Sequence, residues 1–381
     1  MSPRSSGRSF ADGFRSASRR CVVAGALVLF TPWIAARGAG SPEDLLREVQ
    51  RLLETGQLSV AEQKLEAALP AYPDDPRLHN ALGIVSAQQG GFEAAERHFQ
   101  KAIELAPRYV DALLNLGRLY QQTPSDSGMV AKAVAAYEAI IGFDRGHVEA
   151  NYQLAVLLQH RGAYEQSQAH LDRLPNAAQQ RSQALSVRCA NLAALGKAKE
   201  AEQAARDLLG AGDLSELDVT SILAVLEGAG QTSVSIVLLE GLAARRIASH
   251  ESIRQLGLAY ERENKLQPAR ENLEKAAPGF KENLTPLLRE LARVSYKQED
   301  YKGALGYLAH ARDLEPGDAS IHFFFGMTCL AAELVIKARN SLQKAVELSP
   351  DQPYYNYALG AVLSTQRTPA TPYPTSRSFC R

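Results

Sequence analysis

The sequence predicts an all-α fold: a solenoid of about nine stacked helix-turn-helix units with one extra helix at the end. Three observations carry that expectation. Apolar residues recur at helical spacing. They do so in pairs of segments separated by turn formers. The pairs repeat with a period of 34 residues, the mark of a stacked array.

The stretch Ala81–Pro107 shows the unit. Leu82, Ile84 and Val85 line a first helix beside the small Gly83 and Ala87. Gly90-Gly91 supplies the turn, where a positive φ costs glycine little. Phe92, Ala95, Phe99, Ala102 and Ile103 form the stripe of a second helix, and Pro107 ends it, since proline cannot continue a helix interior. Starting from Ala95, the small crossing residue recurs at Ala61, Ala133, Ser167, Ala201, Ser235, Ala269, Ala304 and Ala338. The large apolar site four residues later runs Leu65, Phe99, Tyr137, Leu171, Ala205, Leu239, Leu273, Leu308 and Leu342. A third site runs Ala68, Ala102, Ile140, Leu174, Leu208, Leu242, Ala276, Ala311 and Ala345.

These marks place repeats near 42–75, 76–109, 110–147, 148–181, 182–215, 216–249, 250–284, 285–318 and 319–352, with a half repeat at 353–363. Two steps exceed the period. Four extra residues map to Gln121–Met129, which reads as a surface loop. One more maps to the connection Ala276–Pro286. After the half repeat, residues 364–381 hold three prolines and many hydroxyls and read as a disordered tail.

Leu82-Gly83, Leu116-Gly117 with Tyr120, Leu256-Gly257 with Tyr260, Phe325-Gly326 and Leu359-Gly360, together with Gly90-x-Phe92 and Gly162-x-Tyr164, resemble the tetratricopeptide repeat. The likeness runs over about 42–363. It thins over 182–248, where Arg188-Cys189 and Ile222-Leu223 replace Leu-Gly. The resemblance implies a right-handed α-solenoid that binds a protein or peptide on a concave face lined by the first helices. Two specialised uses in that family are not matched. Of the carboxylate-clamp residues only Asn115 is present, and the asparagine ladder of O-GlcNAc transferase is replaced by Ala81, Asn115, Gln153, Val187, Gln255, Glu290, Phe324 and Ala358.

The first forty residues read as an export signal. They hold six arginines (Arg4, Arg8, Arg15, Arg19, Arg20 and Arg37) and one acid, Asp12. The apolar run Cys21–Ala36 and a string of small residues follow. Cleavage is expected after Gly38 or Gly40. Arg19-Arg20 resembles the twin-arginine export motif, and an uncleaved membrane anchor is the second choice. The protein is thus expected to be bacterial and periplasmic or secreted. The remaining body is mildly acidic, which argues against nucleic acid and against an anionic membrane as its partner.

No phosphate loop, nucleophile elbow or metal-binding motif occurs, so no enzyme, cofactor or metal is expected. Cys189 and Cys329 fall at inward positions and read as small buried hydrophobes. The expected function is a non-enzymatic interaction scaffold. The alternative is the binding arm of a larger enzyme such as a glycosyltransferase. Helical geometry places Asn115, Arg118, Tyr152, Arg254, Arg289, Arg293, Tyr296, Phe323, Phe324, Met327 and Tyr357 on the inner face as candidate partner contacts. The arginines suggest a basic strip leading to an aromatic floor, suited to an acidic peptide with an apolar anchor. The apolar C-terminal end also offers a surface for self-association.

Overall fold

A computed structural model describes residues 41–122 and 127–365. The expected export signal and most of the expected tail lie outside the described residues. Among the described residues there are helices and turns and no strand. They divide into two compact units, with the boundary between Gln180 and Arg181.

In the first unit the hairpins are α1 (Pro42–Glu54) with α2 (Leu58–Ala68), α3 (Pro76–Gln88) with α4 (Phe92–Leu105), α5 (Val110–Gln122) with α6 (Ser127–Phe143), and α7 (Val148–His160) with α8 (Tyr164–Leu171). A single turn, α9 (Asn176–Gln179), follows. The second unit holds α10 (Ser182–Ala194), α11 (Ala198–Gly210), α12 (Glu216–Thr220), α13 (Leu223–Gly228), α14 (Thr232–Ala244), α15 (His250–Arg262) and α16 (Leu266–Ala276). A 3₁₀ turn at Ala277–Phe280 leads to α17 (Thr285–Lys297), α18 (Tyr301–Leu314), α19 (Ala319–Ala331), α20 (Val335–Leu348) and α21 (Pro353–Thr365).

The helices begin where capping chemistry allows. Asp75, Asp300 and Asp318 accept hydrogen bonds from the backbone N–H groups of Arg77 (2.9 Å), Gly303 (2.9 Å) and Ser320 (2.7 Å). Each satisfies one of the donors that a helix start leaves unpaired. Pro42, Pro76 and Pro286 sit in first turns, where a missing N–H costs nothing.

The crossing residues are the heart of the packing. Ala61, Ala95, Ala133, Ala201, Ala269, Ala304 and Ala338 are all fully buried, as is Ser167. Ser167 satisfies its hydroxyl by donating to the Ala155 carbonyl at 2.6 Å. Facing them is a second small site. A methyl group placed on Gly83 would stand 2.5 Å from the Phe99 ring, one on Gly117 2.6 Å from Tyr137, and ones on Gly257 and Gly326 2.8 Å from Leu273 and Leu342. Leu-Gly therefore pairs with the bulky site of the following helix because only a missing side chain admits it.

The turns inside the hairpins keep the same beat in the backbone. Positive φ occurs at Gly56, Gly90, Gly162, Gly196 and Gly230, then at Asn264, Glu299 and Glu333. A third recurrence ties repeat to repeat. His79, His322 and Asn356 each reach the carbonyl of the proline six residues earlier, Pro73, Pro316 and Pro350, at 3.1, 3.0 and 2.8 Å. Asn151 donates likewise to Arg145 at 2.9 Å. The two equivalent histidines thus latch a turn.

Two expectations need correction. The insertion expected as a loop over Gln121–Met129 is partly helical: Gln121 and Gln122 belong to α5, and Ser127 already begins α6. Residues 123–126 lie outside the described residues. The first helix near 216–249 is broken into α12 and α13. The position held by Gly83 or Gly326 elsewhere is Leu223 there, half-buried, and a side chain of that size cannot enter the close crossing.

Candidate first-helix interaction face

In the first unit, the inward side chains of α3, α5 and α7 bond to one another. Asn115 donates to Asn80 at 3.0 Å, and Asn80 is buried. Arg118 meets Glu149 at 3.5 Å. Gln153 donates to Glu149 at 2.8 Å and accepts from Gln121 at 3.1 Å, and the Tyr137 hydroxyl donates to Gln121 at 2.8 Å. Tyr152 lies half-buried on the same helix as Gln153. Most of this face is a self-satisfied polar ribbon.

In the second unit the expected basic strip is largely neutralised by acids one repeat away. Arg254 donates to Glu290 at 2.8 Å and pairs with Glu251 at 2.8 Å. Arg293 forks onto Glu261 at 2.8 and 2.6 Å, and Lys297 joins the same carboxylate at 2.8 Å. Arg289 approaches Asp318 at 3.5 Å and lies 5.9 Å over the Phe324 ring. Burial pushes the Glu261 carboxyl up, but hydrogen bonds from Arg293 and Lys297 outweigh it and hold its pKa below the ordinary glutamate value. The Arg254 pKa is raised, first by its hydrogen bond to Glu290. Fixed pairs of this kind steer an acidic ligand less than free arginines do.

The aromatic section divides into floor and anchor. Phe323 is half-buried, with its ring 5.3 Å from Tyr354 and 4.9 Å from Tyr355. Met327 packs beside Leu342, Ala358 and Val362. These two candidates are therefore chiefly packing, as is Tyr355, which the sequence reading passed over although it is buried. Tyr296 meets Tyr301 edge-on at 5.5 Å. Phe324, 46% exposed, and Tyr357, 74% exposed, remain open. The ion pairs have a sequence signal that went unread: Arg254 and Glu290, Arg293 and Glu261, and Arg118 and Glu149 are each 31–36 residues apart, about one repeat.

Among the described residues no cluster of His, Cys, Asp or Glu could hold a metal, and no helix is long and apolar enough to cross a membrane. The arrangement offers contact surface.

Comparison with known proteins agrees with the fold. Family models described as "Tetratricopeptide repeat" match residues 46–107, 81–125 and 289–353, and a second such model matches 126–189. A Caenorhabditis elegans protein O-mannosyl-transferase is 32% identical over 93 residues, 24% of this chain and 13% of that protein. The Drosophila melanogaster homolog of the BBSome complex member BBS4 is 25% identical over 305 residues, 79% of this chain and 57% of that protein. The chain thus spans little more than half of one relative and about an eighth of the other. A solved tetratricopeptide-repeat protein from Thermus thermophilus is 17% identical, with a TM-score of 0.36 over 49% of this chain and 99% of its own. Because the family models together cover more than half of it, the chain belongs to the tetratricopeptide-repeat proteins, as its crossing sites and Leu-Gly contacts lead one to expect.

Proposed function

We propose that this chain is a non-enzymatic, exported scaffold of the cell envelope that holds a protein or peptide partner on its first-helix face, with Phe324 and Tyr357 as anchors. The observation that carries the reading is the exposure of these two large aromatics, and of Tyr354 between them, over the packed Phe323 and Tyr355. Exposed aromatics over a rigid floor are the side chains that most often dominate binding energy. The ion pairs of Arg254, Arg289 and Arg293 frame the contact and fix its shape rather than attract the ligand.

The double change Phe324→Ala with Tyr357→Ala tests this. Partner capture from the native envelope fraction is expected to collapse, with far-UV helicity and melting unchanged. Undiminished capture removes the reading. Export is tested separately by mass spectrometry of the native protein, which is expected to find a new N-terminus between Ala36 and Ser41; an intact Met1 on soluble cytosolic protein removes that part.

A second reading is the binding arm of a larger enzyme. It draws on the enzyme-named relative, which this chain matches over only 93 residues. An in-frame catalytic domain in the surrounding gene would support it.

A further inference from the structure

The two histidine latches differ in what the second helix of the hairpin sets against them. Each uses a ring nitrogen to reach a proline carbonyl, His79 to Pro73 at 3.1 Å and His322 to Pro316 at 3.0 Å. His98 follows His79 by nineteen positions, on α4, and its ring stacks on His79 with centroids 6.0 Å apart and an interplanar angle of 29°. At the same offset from His322 stands Ser341, which carries no imidazole. One latch is a histidine pair and the other a single histidine.

The pair is arranged for the neutral state. His79 donates its Nε2–H to the Pro73 carbonyl, so Nδ1 of the neutral ring is a bare lone pair. That nitrogen is buried with no hydrogen-bond partner. A proton there would be a charged donor without an acceptor, beside a second half-buried imidazole. The neighbouring charges do not compensate. On α3, Asp75 is held by Arg77 at 2.6 Å, and Arg77 also takes Glu43 of α1 at 2.7 Å. On α2, Glu62 accepts from Gln89 at 2.8 Å. Burial first, then the charges of His79 and of Arg97 on α4, hold the His98 pKa below the ordinary histidine value; Glu62 opposes them without reversing the sign.

We propose that this pair is a pH switch for the first-helix face of the first unit: acidification charges both rings, loosens the α3–α4 hairpin and releases Asn80, the residue after His79, from Asn115. Because the folded His98 pKa lies below the unfolded one, the unfolded hairpin takes up the proton more readily. The stability of the hairpin is complete above the ordinary histidine range and falls as the pH drops through it. The Glu261 carboxylate titrates below the ordinary glutamate value, so the two acid responses are separate. The switch is independent of the Phe324 and Tyr357 anchors, which belong to the second unit.

Hydrogen–deuterium exchange of the full chain, read by mass spectrometry and corrected for intrinsic rates, tests the switch between about pH 7.5 and about pH 5. Protection of α3 and α4 is expected to fall by about tenfold or more on acidification, while that of α19 and α20 stays within about twofold. His98→Ser, which copies the ninth unit, should abolish the fall. Ser341→His should bring an acid response to α19 and α20. A ring-proton NMR titration should find His98 protonating at lower pH than in the urea-unfolded chain. An equal loss of protection in both hairpins, a fall that survives His98→Ser, a Ser341→His that gains no acid response, or a His98 that titrates at or above its unfolded value overturns the switch.

Discussion

The first-helix face of the first unit and that of the second are built on one lattice and filled with different chemistry. Between α3 and α7, inward side chains are chiefly amides, each answering another, with fewer ion pairs among them: Asn80 with Asn115, Gln121 with Gln153, and Arg118 with Glu149. Between α15 and α21 the same kinds of position carry arginine–carboxylate forks and then aromatics that face solvent. The crossing sites do not differ: Ala95 and Ala304 are equally buried. Burial leaves a crossing residue almost no freedom, whereas a first-helix surface position only has to satisfy its polar groups. Divergence therefore collects on that face, and a partner must be read there.

The sharpest break in the comparison is at the crossing glycines. Gly326→Leu drives a side chain into Leu342 and should cost about 3 kcal/mol, the upper end of overpacking penalties. Gly360→Leu, where no atom of the described residues lies within 4 Å, should leave the melting unchanged or slightly raised. Thermal melts of the pair check this, and equal shifts would contradict the close crossing at Gly326. Ala95→Leu and Ala304→Leu should each cost about 1–3 kcal/mol, one in each unit, while Ala163→Leu, at a turn between helices, should be far milder.

Next in size is the ion network. Glu261→Gln weakens three charged contacts, two from Arg293 and one from Lys297, and should cost about 2 kcal/mol near neutral pH. The sign with pH follows from a folded pKa below the unfolded one. The stabilisation is fully present above the ordinary glutamate range and is lost as pH falls through the lowered value. Melting of the variant and of wild type should therefore converge as the pH falls through that lowered value. Asn80→Ala, in the first unit, removes a neutral hydrogen bond and should cost about 1 kcal/mol, with no such convergence.

The smallest effect concerns the hairpin turns. The first unit uses Gly56, Gly90 and Gly162 at positive φ; the second begins with Gly196 and Gly230 but then places Asn264, Glu299 and Glu333 there. Left-handed backbone costs a side-chain-bearing residue about 1–2 kcal/mol, so Glu333→Gly should stabilise by up to about 1 kcal/mol once the added flexibility of the unfolded chain is subtracted. A chemical-denaturation midpoint that falls instead would mean that Glu333 makes a contact outweighing its backbone strain.

How much was legible depends on what each residue answers to. Leu342 and Ala338 announce themselves because helix geometry and burial act along the chain at fixed spacing. The broken helix at Thr220–Leu223 could have been foreseen from Leu223 standing in a glycine's place. The ion pairs lay within reach through their one-repeat spacing, yet composition alone suggested free arginines. Phe323 and Phe324 are neighbours of identical type, and nothing local separates the packed ring from the open one.

The sequence by itself determined the hairpin unit, its period, the crossing and bulky sites, and the positions facing away from them, because a 3.6-residue helical turn and a 34-residue repeat are properties of the linear chain. Only the tertiary structure decided which arginines are neutralised and which aromatics are packed and which are exposed. Those depend on what the next helix brings to the same point in space. The pairing of Arg293 with Glu261 and the tilted contact of Phe323 with Tyr355 each exist only once adjacent helices have docked.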